Sequence, residues 1–112
     1  MSDLFVRDQT ILDYSLSAMR LNPSVPRLYG TVTPPQGTTA NLIITVFLFE
    51  NADSHLPYTS ASGSVAVSPG LLTTFDANNG LQDPPNKVPK RIEIQIVTSA
   101  EVRAKKVSVL LP

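Results

Sequence analysis

The stretch Leu42–Phe49 constrains the fold more than any other part of the chain, because its eight residues include only one polar side chain. Side chains of an extended strand point alternately to two faces, so this segment is apolar on both faces. Such a strand is typical of the middle of a sheet that is covered above and below. At a sheet edge it would be a template for aggregation. We therefore expect a central core strand here, and we expect Phe47→Asp to abolish folding.

The composition is that of one globular domain. The chain has 112 residues, of which 42% are hydrophobic and 16% are charged, and a core can form at this length without disulfides or metal ions. No cysteine is present, so thiol nucleophiles and thiolate metal sites are excluded. The N-terminus does not resemble a secretory signal, and no apolar run approaches the ~20 residues that span a bilayer. We expect a soluble protein that is made in the cytoplasm without a signal peptide and has no membrane partner.

Proline, glycine and asparagine divide the chain into short apolar segments. Ten prolines and five glycines are present, and their spacing leaves little room for long helices. We predict an all-β fold, an antiparallel two-sheet β-sandwich of about seven strands in residues 10–112, preceded by a short N-terminal arm in residues 1–9. This pattern resembles immunoglobulin-like and fibronectin-III-like domains in architecture only, because the cysteine pair and the tryptophan of antibody domains are absent.

Two segments have a clear strand periodicity, and a third is ambiguous. Arg91–Thr98 alternates, with three isoleucines on one face, and Lys105–Leu111 is expected to complete a terminal antiparallel hairpin with it. Ile11–Met19 fits either a strand or an amphipathic helix. We favour the strand because the rest of the chain predicts β structure. It would place one set of side chains on a single face: Leu12, Tyr14, Leu16 and Ala18.

No group of residues indicates catalysis. His55 is the only histidine, and its neighbours Asp53 and Ser54 cannot form a triad with it locally, because adjacent side chains diverge. The segment Asp76–Asp83 offers oxygen ligands for calcium, but the position of its glycine does not fit an EF-hand loop. No pair of carboxylates suggests a general acid and base. We expect a protein that is not an enzyme and that has no metal site and no cofactor.

The charge is balanced overall but uneven along the chain. Residues 1–86 carry three basic and seven acidic side chains, and residues 87–112 carry six basic and two acidic ones. Such a chain suits association with copies of itself or with an acidic partner, unless the two ends meet in the fold and mix their charges. A neutral chain of this kind is not typical of a nucleic-acid-binding protein. The terminal hairpin is expected to divide the basic residues into two smaller patches.

These observations predict a non-catalytic structural or interaction subunit of a larger symmetric assembly, such as the decoration, neck or tail protein of a phage or virus particle. Its partners would be copies of itself or other subunits. The alternative is a ligand- or carbohydrate-binding module that uses loops 51–60 and 76–90, with an exposed Tyr58 that stacks on a sugar. The candidate partner-binding residues are Phe5, Val6, Tyr58, Lys87, Lys90, Arg91, Lys105 and Lys106.

Overall fold

The computed structural model describes residues 3–37, 40–80, 87–98 and 103–111. Within these ranges the regular structure is entirely β, in two packed antiparallel sheets. The strands are β1 (Leu4–Val6), β2 (Gln9–Ile11), β3 (Tyr14–Asn22), β4 (Arg27–Thr33), β5 (Ala40–Phe49), β6 (Thr59–Val67), β7 (Thr73–Ala77), β8 (Asn79–Gly80), β9 (Arg91–Thr98) and β10 (Arg103–Leu110). The described residues include no helix that is long and apolar enough to cross a membrane.

The first sheet, sheet A, has β3 and β4 at its centre and β7 at one edge. The other edge is shared by β1 and β2, which both pair with β3. The residues that we assigned to an N-terminal arm therefore include one strand, β1, that belongs to this sheet. The turn between β2 and β3 consists of Leu12 and Asp13 with φ values of 51° and 66°, which are typical of a tight type I′ hairpin turn.

The second sheet, sheet B, has the order β10-β9-β5-β6-β8. The expected central position of β5 is confirmed, since β9 and β6 pair with it on either side. The expected cover on both faces is wrong, because Ile43 on the outer face is 48% exposed. Phe47 lies half-buried on that outer face, so its position no longer supports a complete loss of folding in Phe47→Asp. The terminal hairpin of β9 and β10 is confirmed.

The hydrophobic core lies between the inner faces of the two sheets. Every second residue of β5 and β9 points into it, which confirms the predicted inward position of the isoleucines of β9. Burial of these side chains is the main source of stability, at roughly 1.5–3 kcal/mol for each large aliphatic group. The largest fully buried side chains are Leu16, Met19, Leu21, Leu28, Leu42, Ile44, Leu48, Ile92, Ile94, Ile96, Val6 and Val32.

The ambiguous first segment is β structure, so the alternative helix is wrong. Ile11 ends β2 and β3 begins at Tyr14, so Leu12, which we expected on the strand face, lies in the turn instead. The face that we predicted for it is interrupted by a β-bulge, where the register with β4 shifts between Ser17 and Arg20. Ala18 has a positive φ of 53° and is exposed, and Met19 is buried in its place. The bulge needs a glycine opposite it: a Cβ on Gly30 would lie 2.8 Å from the carbonyl oxygen of Ser17.

One side of the sandwich is closed by a strand that changes sheets. β7 ends in sheet A at Ala77, and β8 begins at Asn79 in sheet B, where it pairs with β6. A Cβ on Gly63 of β6 would lie 2.2 Å from the carbonyl oxygen of Asp76, so the two backbones are in direct contact. The predicted loop 76–90 therefore begins as strand, and its residues 81–86 lie outside the described part of the chain.

Candidate functional site: the free edge of strand β10

The two predicted N-terminal contact residues have opposite orientations. Phe5 is 58% exposed, and the guanidinium of Arg20 lies 4.9 Å from the centre of its ring. Val6 has no exposed surface and packs in the core. Adjacent residues of a strand point to opposite faces, so only Phe5 is accessible to a partner in this conformation. Val6 as a partner contact is a correction to the sequence prediction.

Tyr58 is not the exposed ring that we expected. Its side chain is half-buried and packs against the core. Its hydroxyl is buried and has no hydrogen-bond partner among the described residues. Desolvation, with a smaller effect of the Glu50 charge, raises its pKa to about 12. The Nζ of Lys87 lies 5.5 Å from the centre of the ring and forms an ion pair with Glu50 at 3.3 Å. Loop 51–60 therefore lacks the exposed tyrosine ring that the sequence predicted.

Arg91 holds loop 51–60 against sheet B. Its guanidinium lies 4.0 Å from the centre of the Phe49 ring and donates hydrogen bonds to the carbonyl oxygen of Ser54 at 2.6 Å and to Glu93 at 2.7 Å. Its side chain is only 14% exposed. A charged group with this burial and these partners is a structural element of the loop. It is not a free cation for a partner in this conformation.

The three remaining lysines of the predicted contact set differ in their surroundings. Lys90 and Lys105 are exposed at different ends of the β9–β10 hairpin. Lys106 points back across sheet B, where its Nζ lies 3.5 Å from Glu93 and 5.7 Å from the centre of the Phe47 ring. The basic residues thus form no continuous patch within the described residues. The side chain of Arg103 lies outside the described part.

Within the described residues, β10 is an edge strand of sheet B. β10 pairs only with β9 within the described residues, over the full length of Arg103–Leu110. The amide of Leu111 donates to the carbonyl of Lys90 at 2.9 Å, so the backbone N–H of Leu111 points toward the β9 side. Backbone groups of successive residues in an antiparallel strand point alternately toward and away from the partner strand. The residues whose N–H and C=O groups point away from β9 are therefore Ala104, Lys106, Ser108 and Leu110. We call these groups the free edge of β10.

Two cavities lie beside this edge. β2 and the following turn lie close to β10, and a cavity of about 340 Å³ is lined by residues 10–13 and by Lys105–Val107. A second cavity of about 380 Å³ lies at the other end of the strand, between Phe5 and Leu110. Leu110 is 60% exposed. The sequence analysis did not predict Leu110 as a contact residue, although its position at the end of a lysine-containing strand could have indicated an exposed apolar side chain.

The candidate catalytic and calcium-binding residues form no site within the described residues. His55 is exposed in its loop, and Asp76 lies in β7, where it forms an ion pair with Arg27. Within the described ranges, no three His, Asp or Glu side chains are grouped to hold a metal ion. Comparison of the chain with known protein families, with curated proteins and with solved structures finds no significant match.

Proposed function

We propose that this chain is a non-catalytic structural subunit that associates with a second copy of itself through the free edge of β10. The observation that carries this proposal is the row of outward N–H and C=O groups at Ala104, Lys106, Ser108 and Leu110. An edge strand of this length without proline or bulge is a template for pairing with another strand. Natural proteins commonly protect such an edge with outward lysines, but the Lys106 ammonium is turned back toward Glu93.

The sequence of β10 is self-complementary in one antiparallel register. A two-fold axis through Val107 would pair Ala104 with Leu110 of the second copy, and Lys106 with Ser108. All of the outward residues are then matched, and no lysine stands directly opposite a lysine of the second copy. Two directly opposed lysines would destabilise the pair. An axis through Lys106 or Lys105 would oppose that lysine to itself. Two-fold interfaces of this isologous kind are the commonest in soluble oligomers.

The ends of the paired strands would also bury apolar surface. Leu110 and Phe5 are both more than half exposed and line one cavity beside the edge. In the proposed register this cavity lies next to the beginning of β10 of the second copy. Burial of such groups contributes about 25 cal/mol per Å² of apolar surface. Backbone pairing would therefore be reinforced by hydrophobic contact at both ends of the interface.

The dimer would be the building unit of a larger symmetric assembly, such as a phage or virus particle. This wider role rests on the composition of the chain and on the absence of a grouped catalytic set among the described residues. We also propose that the sandwich is of the immunoglobulin-like or fibronectin-III-like kind. Seven strands of five or more residues support this: β3, β4, β5, β6, β7, β9 and β10. The short strands β1, β2 and β8 would be additions to that arrangement.

Light scattering coupled to size exclusion tests the proposal with two variants of one residue. We expect a mass of about twice the 12.1 kDa of the chain for the unmodified protein. Ser108→Pro removes an N–H that points away from β9, so the hairpin is retained while dimerisation is lost. Ser108→Ala keeps the N–H and should remain dimeric. A monomeric unmodified chain, or a Ser108→Pro variant that is still dimeric, would refute the proposal.

A further inference from the structure

A groove lies on the outer face of sheet A, above β4 and β7. β10 belongs to the other sheet, so the groove has no part in the proposed assembly. Its floor is the backbone of the paired residues Gly30 and Phe75, and its volume is about 590 Å³. Volumes of this size are typical of small-molecule sites. Because strand side chains alternate, the residues directly before and after Gly30 and Phe75 point outward, on either side of the floor. The walls are formed by Arg27, Tyr29 and Asp76 on one side and by Thr31 and Thr74 on the other, with Ser64 nearby.

The charged residues of this groove are fixed and mutually neutralised. Arg27 donates from Nε and Nη2 to both carboxylate oxygens of Asp76 at 2.8–3.2 Å, and this hydrogen bonding is the main cause of its raised pKa. Both side chains stay accessible, with exposed fractions of 44% and 38%. A paired cation and anion do not select for a charged ligand. They do offer fixed donors and acceptors at the surface of the groove.

An aromatic ring stands beside these polar groups. Tyr29 lines the groove, and the Arg27 guanidinium lies 4.4 Å from the centre of its ring. Its hydroxyl donates to the carboxylate of Asp3, and this hydrogen bond is the first cause of its raised pKa. The Arg27 guanidinium thus lies over one face of the ring, and Asp3 holds the hydroxyl. A positioned ring of this kind costs little side-chain entropy when a ligand packs against it.

We propose that this groove binds a neutral carbohydrate, a mono- or disaccharide unit. A pyranose has an apolar face that packs on an aromatic ring and a rim of hydroxyls that both donate and accept hydrogen bonds. Tyr29 supplies the ring face opposite the Arg27 guanidinium, the Arg27–Asp76 pair supplies donors and acceptors, and Thr74 and Ser64 line the rest of the groove. The balanced charge favours a neutral sugar over a phosphate or sulfate. The proposal does not depend on dimerisation, because all of its residues lie away from β10.

Amide chemical shifts of the full ¹⁵N-labelled chain test this site. The probes are cellobiose, maltose and diacetylchitobiose, each titrated to about 50 mM, which covers the millimolar affinities of weak small-ligand sites. At least one sugar should give saturable shifts confined to the amides of residues 27–31 and 74–76. Sodium sulfate, titrated over the same concentration range at constant ionic strength, should not shift these amides saturably.

Variants distinguish ring packing from a structural role. Tyr29→Ala should weaken binding at least about tenfold, equivalent to about 1.4 kcal/mol, while Tyr29→Phe should retain it because the ring face remains. Thr45→Val, on the outer face of sheet B, is the matched control and should bind as the unmodified chain does. The proposal is refuted if no sugar shifts these amides, if sulfate binds as tightly as the best sugar, or if Tyr29→Ala binds as well as the control.

Discussion

Two adjacent positions of β5 test how the strand faces are assigned. Val46 has no exposed surface and lies between Ala61 of β6 and Ile94 of β9. Phe47, the next residue, lies half-buried on the outer face, with the Lys106 ammonium 5.7 Å from the centre of its ring. The same substitution, aspartate, should therefore have very different effects at these two neighbouring sites.

The expected magnitudes follow from burial. Val46→Asp loses about 1.5–3 kcal/mol of apolar burial and places an unpaired carboxyl in the core at a further cost of about 2–7 kcal/mol. The sum is comparable to the roughly 5–15 kcal/mol that stabilises a typical domain. Phe47→Asp loses about half of the burial of one ring and a cation–π contact of about 0.5–1 kcal/mol. We expect it to cost about 1–3 kcal/mol and to fold.

Urea denaturation followed by circular dichroism measures both variants against the unmodified chain. Val46→Asp should be unfolded or should unfold at very low urea, while Phe47→Asp should show a cooperative transition at a moderately lower midpoint. Equal losses of stability at the two positions would contradict the assignment of faces. A larger loss for Phe47→Asp would mean that the outer face of sheet B is covered.

Three further substitutions test local features of the fold. Asp13→Gly removes the penalty of a positive φ in the β2–β3 turn and should raise the free energy of unfolding by about 0.5–1 kcal/mol in a urea titration; a loss of stability would contradict the turn type. Gly63→Ala should cost at least about 1–3 kcal/mol, because its Cβ would overlap the Asp76 carbonyl oxygen, and an unchanged melting temperature would contradict the contact. Tyr58→Phe removes a buried hydroxyl that has no hydrogen-bond partner in the described part of the chain and should be neutral or stabilising by about 1 kcal/mol. Because burial raises the pKa of Tyr58 to about 12, the folded state holds this proton more tightly than the unfolded state. The stability that this provides is complete below about pH 10 and is lost as the pH rises through about 12, so the decline in this range should be smaller in Tyr58→Phe, and an unchanged decline would contradict the assignment.

The main strands could be predicted because their patterns agree with their environment. The alternation of β9 and the apolar run of β5 follow directly from a core that lies between two sheets. The bulge in β3 could not be predicted, since nothing in the local pattern marks Ala18 as the point where the inward face changes. It depends on Gly30 in the neighbouring strand, which leaves room for the displaced backbone.

The candidate contact residues were harder to predict, because exposure depends on distant neighbours. Arg91 resembles a free basic residue in the sequence, but loop 51–60 lies across it and Phe49 packs under it. Asp76 resembles a turn or a calcium ligand, yet its partner is Arg27, which is 49 residues away. The edge position of β10 was not predicted, because the sequence indicated only that β5 should not lie at an edge.

The most direct test of assembly through β10 uses the absence of cysteine in this chain. In the proposed register the two copies of residue 107 face each other as a non-bonded antiparallel pair, with Cα atoms about 4.5 Å apart, within the range that a disulfide spans. The two copies of residue 108 are diagonal neighbours about 7–8 Å apart, too far to be bridged. On oxidation, Val107→Cys should give a covalent dimer on a non-reducing gel, and Ser108→Cys should stay uncrosslinked. A monomeric Val107→Cys, or equal crosslinking of both variants, would contradict the proposed pairing.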